Sequence, residues 1–174
     1  MRRLMLLRHS KAERAAPGEP DRDRTLTNRG RTDAPAIGTY MSRHGFVPEL
    51  ALVSPAKRAQ ETWALLATTF SKQPKSATDE RIYNATSETL AEIIGETRTA
   101  RSILVVGHNP GLHDVAVQLI ASGDTEARGR VAEKLPTSGL IIIDLPFDDW
   151  ALLHPASGRI ERFVTPRSLA GAAD

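Results

Sequence analysis

The chain has 174 residues, of which 40% are hydrophobic, and its 23 basic and 21 acidic side chains give a formal net charge of +2. This length can bury one sizeable core, so we predict a single domain over residues 1–174 whose last few residues form a flexible tail. The sequence contains no cysteine, which excludes disulfides, thiolate metal ligands and thiol nucleophiles. Basic residues are dispersed and only 5% of residues are aromatic, so a nucleic-acid-binding face is not expected.

The apolar runs of the sequence have the length of strands rather than of membrane spans, the longest being SILVVG and GLIIIDL. Residues 1–20 contain arginines but no apolar segment long enough for a signal peptide. We therefore expect no membrane partner and a cytoplasmic location.

The first predicted elements are a buried strand and a long helix. Residues 4–7 form a continuous apolar run, which is typical of a strand buried on both faces. After a polar loop, Thr27 is a suitable N-cap for a helix that runs to about His44, where Gly45 supplies the stop. Pro35 falls inside this helix, so we expect a kink or a later start.

A second strand and helix follow in the same order. The apolar residues 50–53 predict the strand, and Ser54 and Pro55 supply a capping hydroxyl and the residue that best suits the first helical position. The apolar side chains of this helix recur at helical spacing and predict a face that packs on the sheet. These side chains are Ala59, Trp63, Leu66 and Phe70.

The rest of the chain continues the alternation. Ser87 is predicted to cap a third helix, residues 102–107 to form a third buried strand, and the runs GLIIIDL and RIERFVT to form further strands. The helix after the third strand has an apolar face formed by Leu112, Val115, Ala116 and Leu119. Strands that alternate with helices indicate an α/β protein, here a three-layer α/β/α sandwich with a mostly parallel central sheet.

Basic side chains follow the predicted strands where these end. Arg8 and His9 come directly after the first strand, Arg58 lies in the first turn after the second, and His108 follows the third. The carboxyl ends of parallel strands meet at one edge of a sheet, so these four side chains should converge there. Guanidinium groups and a helix amino terminus near Pro55 would together suit a tetrahedral dianion such as phosphate.

Three motifs resemble the histidine phosphatase superfamily, whose members have the phosphoglycerate-mutase-like fold. The motifs are LLRHSKAE, SPAKRAQET and VVGHNPG, in that order. The short chain and its FVTPRSL segment are more similar to the SixA-type phosphohistidine phosphatases than to the mutases. The resemblance is strongest over residues 4–113.

The resemblance implies a role for each matching residue. His9 would be the nucleophile that forms a phosphohistidine enzyme, with its second ring nitrogen held by a backbone carbonyl. Arg8, Arg58 and His108 would bind the phosphate oxygens and offset the charge of the transferring group, with Asn109 as a further phosphate ligand. These groups already supply positive charge, so no metal or cofactor is expected.

For five loop residues the sequence leaves alternative roles open. The segment DERIYN resembles the part of the family that carries the general acid, which makes Glu80 the candidate and Asp79 its less favoured neighbour; the alternative for Glu80 is an exposed loop carboxylate. Arg24 is predicted to reach the phosphate and Asp21 to orient it, against the alternative of a solvated charge cluster. Ser10 replaces the family's glycine, where its hydroxyl is a candidate phosphate donor if glycine's backbone freedom is not required.

The remaining histidines fit structural roles. His44 lies at a predicted helix end, His113 flanks an apolar helix face and His154 lies in a turn region. A zinc site formed by His9, His108 and His113 is the alternative, but it has no carboxylate at ligand spacing and two arginines would repel the ion.

Three functions remain open from the sequence. Little chain is available between Glu80 and His108 to form a lid, and an open cavity favours phosphohistidine on a signalling or phosphotransfer protein as the substrate. The second candidate is a phosphatase of small phosphomonoesters or nucleotides at the same site. The third is a non-catalytic phosphate-binding regulatory module.

Overall fold

A seven-stranded sheet forms the centre of the fold in the computed structural model, which describes residues 1–172. Its strands are β1 (Arg2–Arg8), β2 (Leu50–Val53), β3 (Lys75–Thr78), β4 (Ser102–Gly107), β5 (Ile120–Gly123), β6 (Leu140–Leu145) and β7 (Gly158–Val164). The spatial order is β3-β2-β4-β1-β6-β7-β5. Strand β6 is antiparallel to β1 and β7, and the other neighbours are parallel, which confirms the mostly parallel sheet. Residues 173 and 174 of the predicted tail lie outside the described residues.

The helices are α1 (Asn28–Arg43), α2 (Lys57–Ala67), α3 (Ser87–Gly95), α4 (Gly111–Leu119), α5 (Thr125–Glu133) and α6 (Pro166–Ala172). Short 3₁₀ turns occur at Asp21–Asp23, Glu80–Ile82 and Trp150–Leu152. Across residues 1–172, none of the helices is long and apolar enough to span a membrane.

The sheet separates two hydrophobic cores, as the three-layer prediction requires. Successive side chains of β1 point to opposite faces, so Leu4 and Leu6 join the core that includes α3 and α4, while Met5 and Leu7 join the core that includes α1 and α2. All four side chains are at most 1% exposed. Each contributes roughly 1.5–3 kcal/mol by leaving water, and together they fix the register of the strand that delivers His9.

Helix α1 has the ends that the sequence predicts. The Thr27 hydroxyl accepts a hydrogen bond from the Gly30 amide at 3.0 Å, and Gly45 ends the helix with a φ of +73°, in the left-handed region that glycine tolerates. The predicted later start is wrong, because the helix begins at Asn28 and continues through Pro35.

Helix α2 begins later than predicted. The first helical residue is Lys57, so the predicted start at Pro55 is wrong by two residues. Ala56 is the N-cap and makes no side-chain capping bond. The Ser54 hydroxyl instead accepts a weak hydrogen bond from the Ala56 amide at 3.3 Å and also contacts the ring of His108. Phe70 is buried, as predicted, but lies beyond the end of the helix.

The N-cap of helix α3 lies one residue earlier than predicted. The Thr86 side chain accepts from the Thr89 amide at 3.2 Å, so Thr86 is the cap and the predicted cap, Ser87, is the first helical residue. Either hydroxyl suits this position, and the sequence does not distinguish adjacent candidates.

The strand register brings several loops to one edge of the sheet. In the parallel pairs, Arg8 lies opposite Gly107 and Val53 lies opposite Val106. Because β6 is antiparallel to β1, its first residue, Leu140, lies opposite Leu7. The residues that follow β1, β2 and β4 therefore meet the residues that precede β6.

Candidate active site

His9 directly follows β1, its side chain is buried, and its ring has a defined tautomer. Its amide donates to the Gly107 carbonyl at 3.1 Å, and its ring Nδ1 lies 2.8 Å from the Ser10 carbonyl oxygen. A carbonyl can only accept, so Nδ1 carries the ring proton and Nε2 keeps its lone pair. That lone pair accepts a hydrogen bond from Arg58 Nε at 3.3 Å. The backbone carbonyl contact expected from the resemblance is thus present.

His108 lies beside His9, with the two ring centroids 5.2 Å apart. Its Nε2 is 2.6 Å from the Ser54 hydroxyl, and the edge of the Tyr83 ring contacts it at a centroid distance of 5.6 Å. The other ring nitrogen, Nδ1, is buried and has no hydrogen-bond partner. Ser54 therefore holds the His108 ring through Nε2, while Nδ1 is enclosed by the protein.

Arg58 is buried and is held by Asp21. Its Nη1 donates to the Asp21 carbonyl at 2.8 Å and its Nη2 to a carboxylate oxygen at 3.0 Å. The same carboxylate accepts from Arg24 Nη1 at 3.0 Å and from the Tyr83 hydroxyl. The Tyr83 bond, followed by those from Arg24 and Arg58, holds the pKa of Asp21 well below its usual value. The predicted contact between Asp21 and Arg24 is present, and the contact with Arg58 was not predicted.

Arg8 and Asn109 share one backbone acceptor. Arg8 Nη1 and Asn109 Nδ2 donate to the Leu135 carbonyl at 3.1 Å and 2.9 Å. Arg8 Nε and Asn109 Oδ1 are buried without partners. Burial, and then the charge of Arg58, lowers the pKa of Arg8. Such a guanidinium lacks a compensating anion, which a bound phosphate would supply.

These groups surround a polar cavity of about 250 Å³. Six predicted site residues line it, namely Arg8, His9, Arg24, Arg58, His108 and Asn109. Lys11 adds a further positive charge, and none of the described residues that line the cavity is acidic. The arrangement is therefore suited to a small anion with several oxygens.

The two candidate acids lie outside this lining. The Glu80 side chain is 72% exposed and accepts from Arg22 Nη2 at 2.6 Å. Asp79 accepts from Arg81, with the closest ion-pair distance at 2.8 Å. The structure brings neither carboxylate to the cavity, and the role of Glu80 as general acid stays a prediction.

Ser10 is accommodated without glycine's backbone freedom. Its φ lies outside the left-handed region, and its amide donates to Thr62 Oγ1 at 2.9 Å. Its buried hydroxyl lies 2.6 Å from that of Ser138 and is not part of the cavity lining. The Ser138 amide in turn donates to the carbonyls of Arg8 and His9 at 3.1 Å and 3.2 Å. Ser10 thus connects the loop before β6 to the end of β1, and its role as a phosphate donor stays a prediction.

We expect Ser138→Ala to lower the free energy of unfolding by about 1–3 kcal/mol, because it leaves the buried Ser10 hydroxyl without a partner. Ser10→Ala combined with Ser138→Ala should cost less than the sum of the two single changes, as measured by urea denaturation. The control is Ser157→Ala, whose exposed hydroxyl contacts only a carbonyl. Additive single effects would contradict a coupling between the two serines.

Both site histidines are held neutral. Burial is the main cause that lowers the pKa of His9 to about 3, and the nearby His108, Arg58 and Arg8 side chains lower it further. Burial and then Arg58 lower the pKa of His108 to about 4. A neutral His9 keeps an unprotonated Nε2 at neutral pH, as a nucleophile requires.

These lowered pKa values predict an acid-sensitive fold. The unfolded chain takes up a proton at each histidine below about pH 6.5, whereas the folded chain resists it, so stability falls as pH decreases from there toward the folded pKa values. The slope is at most about 1.4 kcal/mol per pH unit for each histidine. Urea denaturation of His9→Asn should give a shallower decline than wild type, with the surface variant His154→Asn as control. Parallel declines for wild type and His9→Asn would refute this prediction.

The other histidines have the structural roles that the sequence predicts. The rings of His44 and His154 contact backbone carbonyls at 2.9 Å and 2.8 Å, and His113 Nε2 contacts the Val131 carbonyl. His113 therefore does not join a zinc site with the two cavity histidines, and residues 1–172 contain no cluster of three metal-binding side chains.

The sequence analysis did not identify Ser54, Tyr83 and Ser138 as site residues. Ser54 directly follows β2, so the strand-end rule that located His9 and His108 also applies to it. Tyr83 lies in a loop and Ser138 precedes an antiparallel strand, and no pattern in the sequence marks either position.

Comparison with known proteins agrees with this geometry. The family model of the histidine phosphatase superfamily (branch 1) matches residues 4–84. An uncharacterized protein of Mycobacterium tuberculosis is 33% identical over 165 residues, covering 92% of this chain and all of that protein.

The crystal structure of a protein assigned as phosphohistidine phosphatase SixA in Agrobacterium tumefaciens is 30% identical, with a TM-score of 0.81 over 95% of this chain and 98% of the other. A SixA protein histidine phosphatase in complex with tungstate shares the fold at 20% identity and a TM-score of 0.73, over 96% of this chain and 99% of the other.

The chain therefore belongs to the histidine phosphatase superfamily. Within that superfamily it falls in the SixA-type branch, and it is a metal-independent phosphatase by membership. This result sets aside the non-catalytic binding module.

Proposed function

We propose that this phosphatase removes the phosphoryl group from phosphohistidine on a signalling or phosphotransfer protein, and that His9 carries the group as an intermediate. The observation that carries the proposal is the unprotonated Nε2 of His9, which faces the Arg58 guanidinium and lies beside His108. A lone pair next to a positioned guanidinium is what in-line attack on a phosphoryl group needs.

In the first step, His9 Nε2 attacks phosphorus while the bond from phosphorus to the substrate imidazole breaks. The electron pair stays on the departing imidazole nitrogen, which takes a proton from water. In the second step, water attacks the phosphorus on His9, and the P–N bond breaks with its electron pair returning to His9 Nε2. Inorganic phosphate leaves with the oxygen and protons of that water and loses one proton to solvent. Arg8, Arg58 and Arg24 bind the phosphoryl oxygens throughout and offset their charge.

Ser54 positions the ring of His108 in this scheme. Its hydroxyl lies 2.6 Å from His108 Nε2 and also accepts from the Ala56 amide, and because a hydroxyl oxygen has two lone pairs, either Ser54 or His108 can be the donor of their shared bond. In this scheme His108 donates a ring N–H to a phosphoryl oxygen. Asn109 supplies a further amide hydrogen.

The leaving group favours phosphohistidine over phosphate esters. An ester releases an alkoxide, which needs a proton from a positioned acid, whereas an imidazole departs readily once solvent protonates it. No carboxylic acid among residues 1–172 lines the cavity, and Asp21 is kept ionised by its hydrogen bonds. The site is therefore better adapted to break a P–N bond than a P–O bond.

The test compares two synthetic peptides of the same sequence, one with a central phosphohistidine and one with phosphoserine. We expect kcat/KM to be at least about 100-fold higher for phosphohistidine, the lower limit of what a general acid contributes. Glu80→Gln should change the phosphohistidine rate by less than about threefold, an effect too small for a lost general acid. Equal rates for the two peptides would overturn the preference for phosphohistidine, and a large loss in Glu80→Gln would establish Glu80 as the acid.

A further inference from the structure

A second groove lies beside the catalytic cavity. It encloses about 360 Å³, against about 250 Å³ for the cavity, and Thr137 lines both. The neighbouring Leu135 carbonyl binds Arg8 and Asn109, so one loop forms a wall of the cavity and part of the groove. A substrate whose phosphoryl group enters the cavity can therefore extend past Thr137 into the groove.

The groove is strongly basic. Four cations line it against a single carboxylate, that of Glu133; they are Arg29, Arg130, Lys134 and Arg167. Arg29 is paired with Asp33 at 3.5 Å. In the part of the chain that the structure describes, the side chains of the other three cations form no ion pair. Their charge is thus free to act on a ligand.

Part of the lining of the groove is apolar. The guanidinium carbon of Arg130 lies 4.9 Å from the centre of the Phe163 ring, which keeps this cation close to an aromatic surface. Pro136 and Pro166 add further apolar contact area. A lining that combines apolar side chains with unpaired cations fits a peptide with acidic side chains better than a small hydrated anion.

We propose that this groove binds an acidic segment of the phosphoprotein substrate next to its phosphorylated residue. The proposal rests on the proposed function and extends it to substrate selection. Carboxylates of the partner pair with Lys134, Arg167 and Arg130, which raises the rate of productive encounter and lowers KM. The chemical step at His9 is unaffected.

The test uses three synthetic phosphohistidine peptides that differ only in the residues flanking the phosphohistidine, which are glutamate, glutamine or lysine. For wild type we expect kcat/KM to be about tenfold higher with glutamate than with glutamine flanks, a range typical of electrostatic steering. The double variant Lys134→Glu/Arg167→Glu should lose this preference and favour lysine flanks. Its turnover of phosphoramidate, a small phosphodonor without flanks, should equal that of wild type.

The matched control is Lys72→Glu/Arg98→Glu, which makes the same charge change with exposed side chains near the opposite edge of the sheet. It should keep the preference for glutamate flanks. Equal wild-type rates with all three peptides would overturn the groove proposal and leave the phosphohistidine activity intact. No hydrolysis of any peptide, with phosphoramidate still turned over, would overturn the proposed substrate and the groove proposal with it.

The alternative occupant is the second phosphate of a small substrate. A sugar bisphosphate and the matching monophosphate distinguish this case. If the double variant raises KM for the bisphosphate alone and leaves all peptide rates unchanged, the acidic-segment proposal is overturned.

Discussion

Replacing His9 by alanine is expected to lower the rate of phosphate release by at least about 10⁴-fold, because the reaction then loses its nucleophile. The variant keeps the cationic cavity, so it should still bind inorganic phosphate. The measurement is kcat/KM with a phosphohistidine peptide, together with phosphate binding by calorimetry.

The control for this variant is His154→Ala, which removes an exposed histidine that contacts only a backbone carbonyl. It should retain wild-type turnover. Residual activity of His9→Ala above about 1% of wild type would mean that water attacks the substrate directly with help from the arginines, and the covalent route would be wrong.

Replacing Arg58 by alanine is expected to lower kcat by about 10³-fold, the effect typical of removing a buried group that stabilises transferring phosphoryl charge. Arg58 contacts His9 Nε2 directly at 3.3 Å and is fixed by two hydrogen bonds to Asp21. Arg58→Lys keeps the charge but cannot form the same fork, so its activity should lie between those of alanine and wild type.

Asp21→Asn separates positioning from direct contact. It leaves Arg58 in place and keeps its bond to the backbone carbonyl of residue 21 but weakens its contact with the carboxylate, so kcat should fall about tenfold while phosphate binding changes little. Thermal unfolding of each variant checks that the fold is intact.

An Arg58→Ala variant that retains more than about one tenth of wild-type kcat would contradict the role assigned to this guanidinium.

The central strands were predictable because their patterns are local and strong. The centres of β1, β4 and β6 are continuous apolar runs of buried side chains, and such runs indicate buried strands. β3 was not predictable, because all four of its residues are exposed and only its backbone pairing with β2 makes it a strand. α5 was missed for a similar reason, since Val131 is its only buried residue.

The cavity groups were predictable from strand ends, and their partners were not. Arg8 ends β1, His9 follows β1 and His108 follows β4, and parallel strands end at one edge whatever the details of the loops. Asp21 reaches Arg58 from a loop 37 positions away in the sequence. Ser138 lies in the loop before the antiparallel strand β6. Such contacts depend on tertiary packing, which a single sequence does not encode in any local pattern.

The measurement that tests the account most directly is the site of phosphorylation during turnover. The enzyme is mixed with excess phosphohistidine peptide, quenched in alkali within the first turnovers, and the labelled residue is mapped by mass spectrometry. The account predicts phosphate on Nε2 of His9, formed and lost at rates that match turnover, and no label on His108. Steady release of phosphate without any label on His9, or label on another residue, would contradict it.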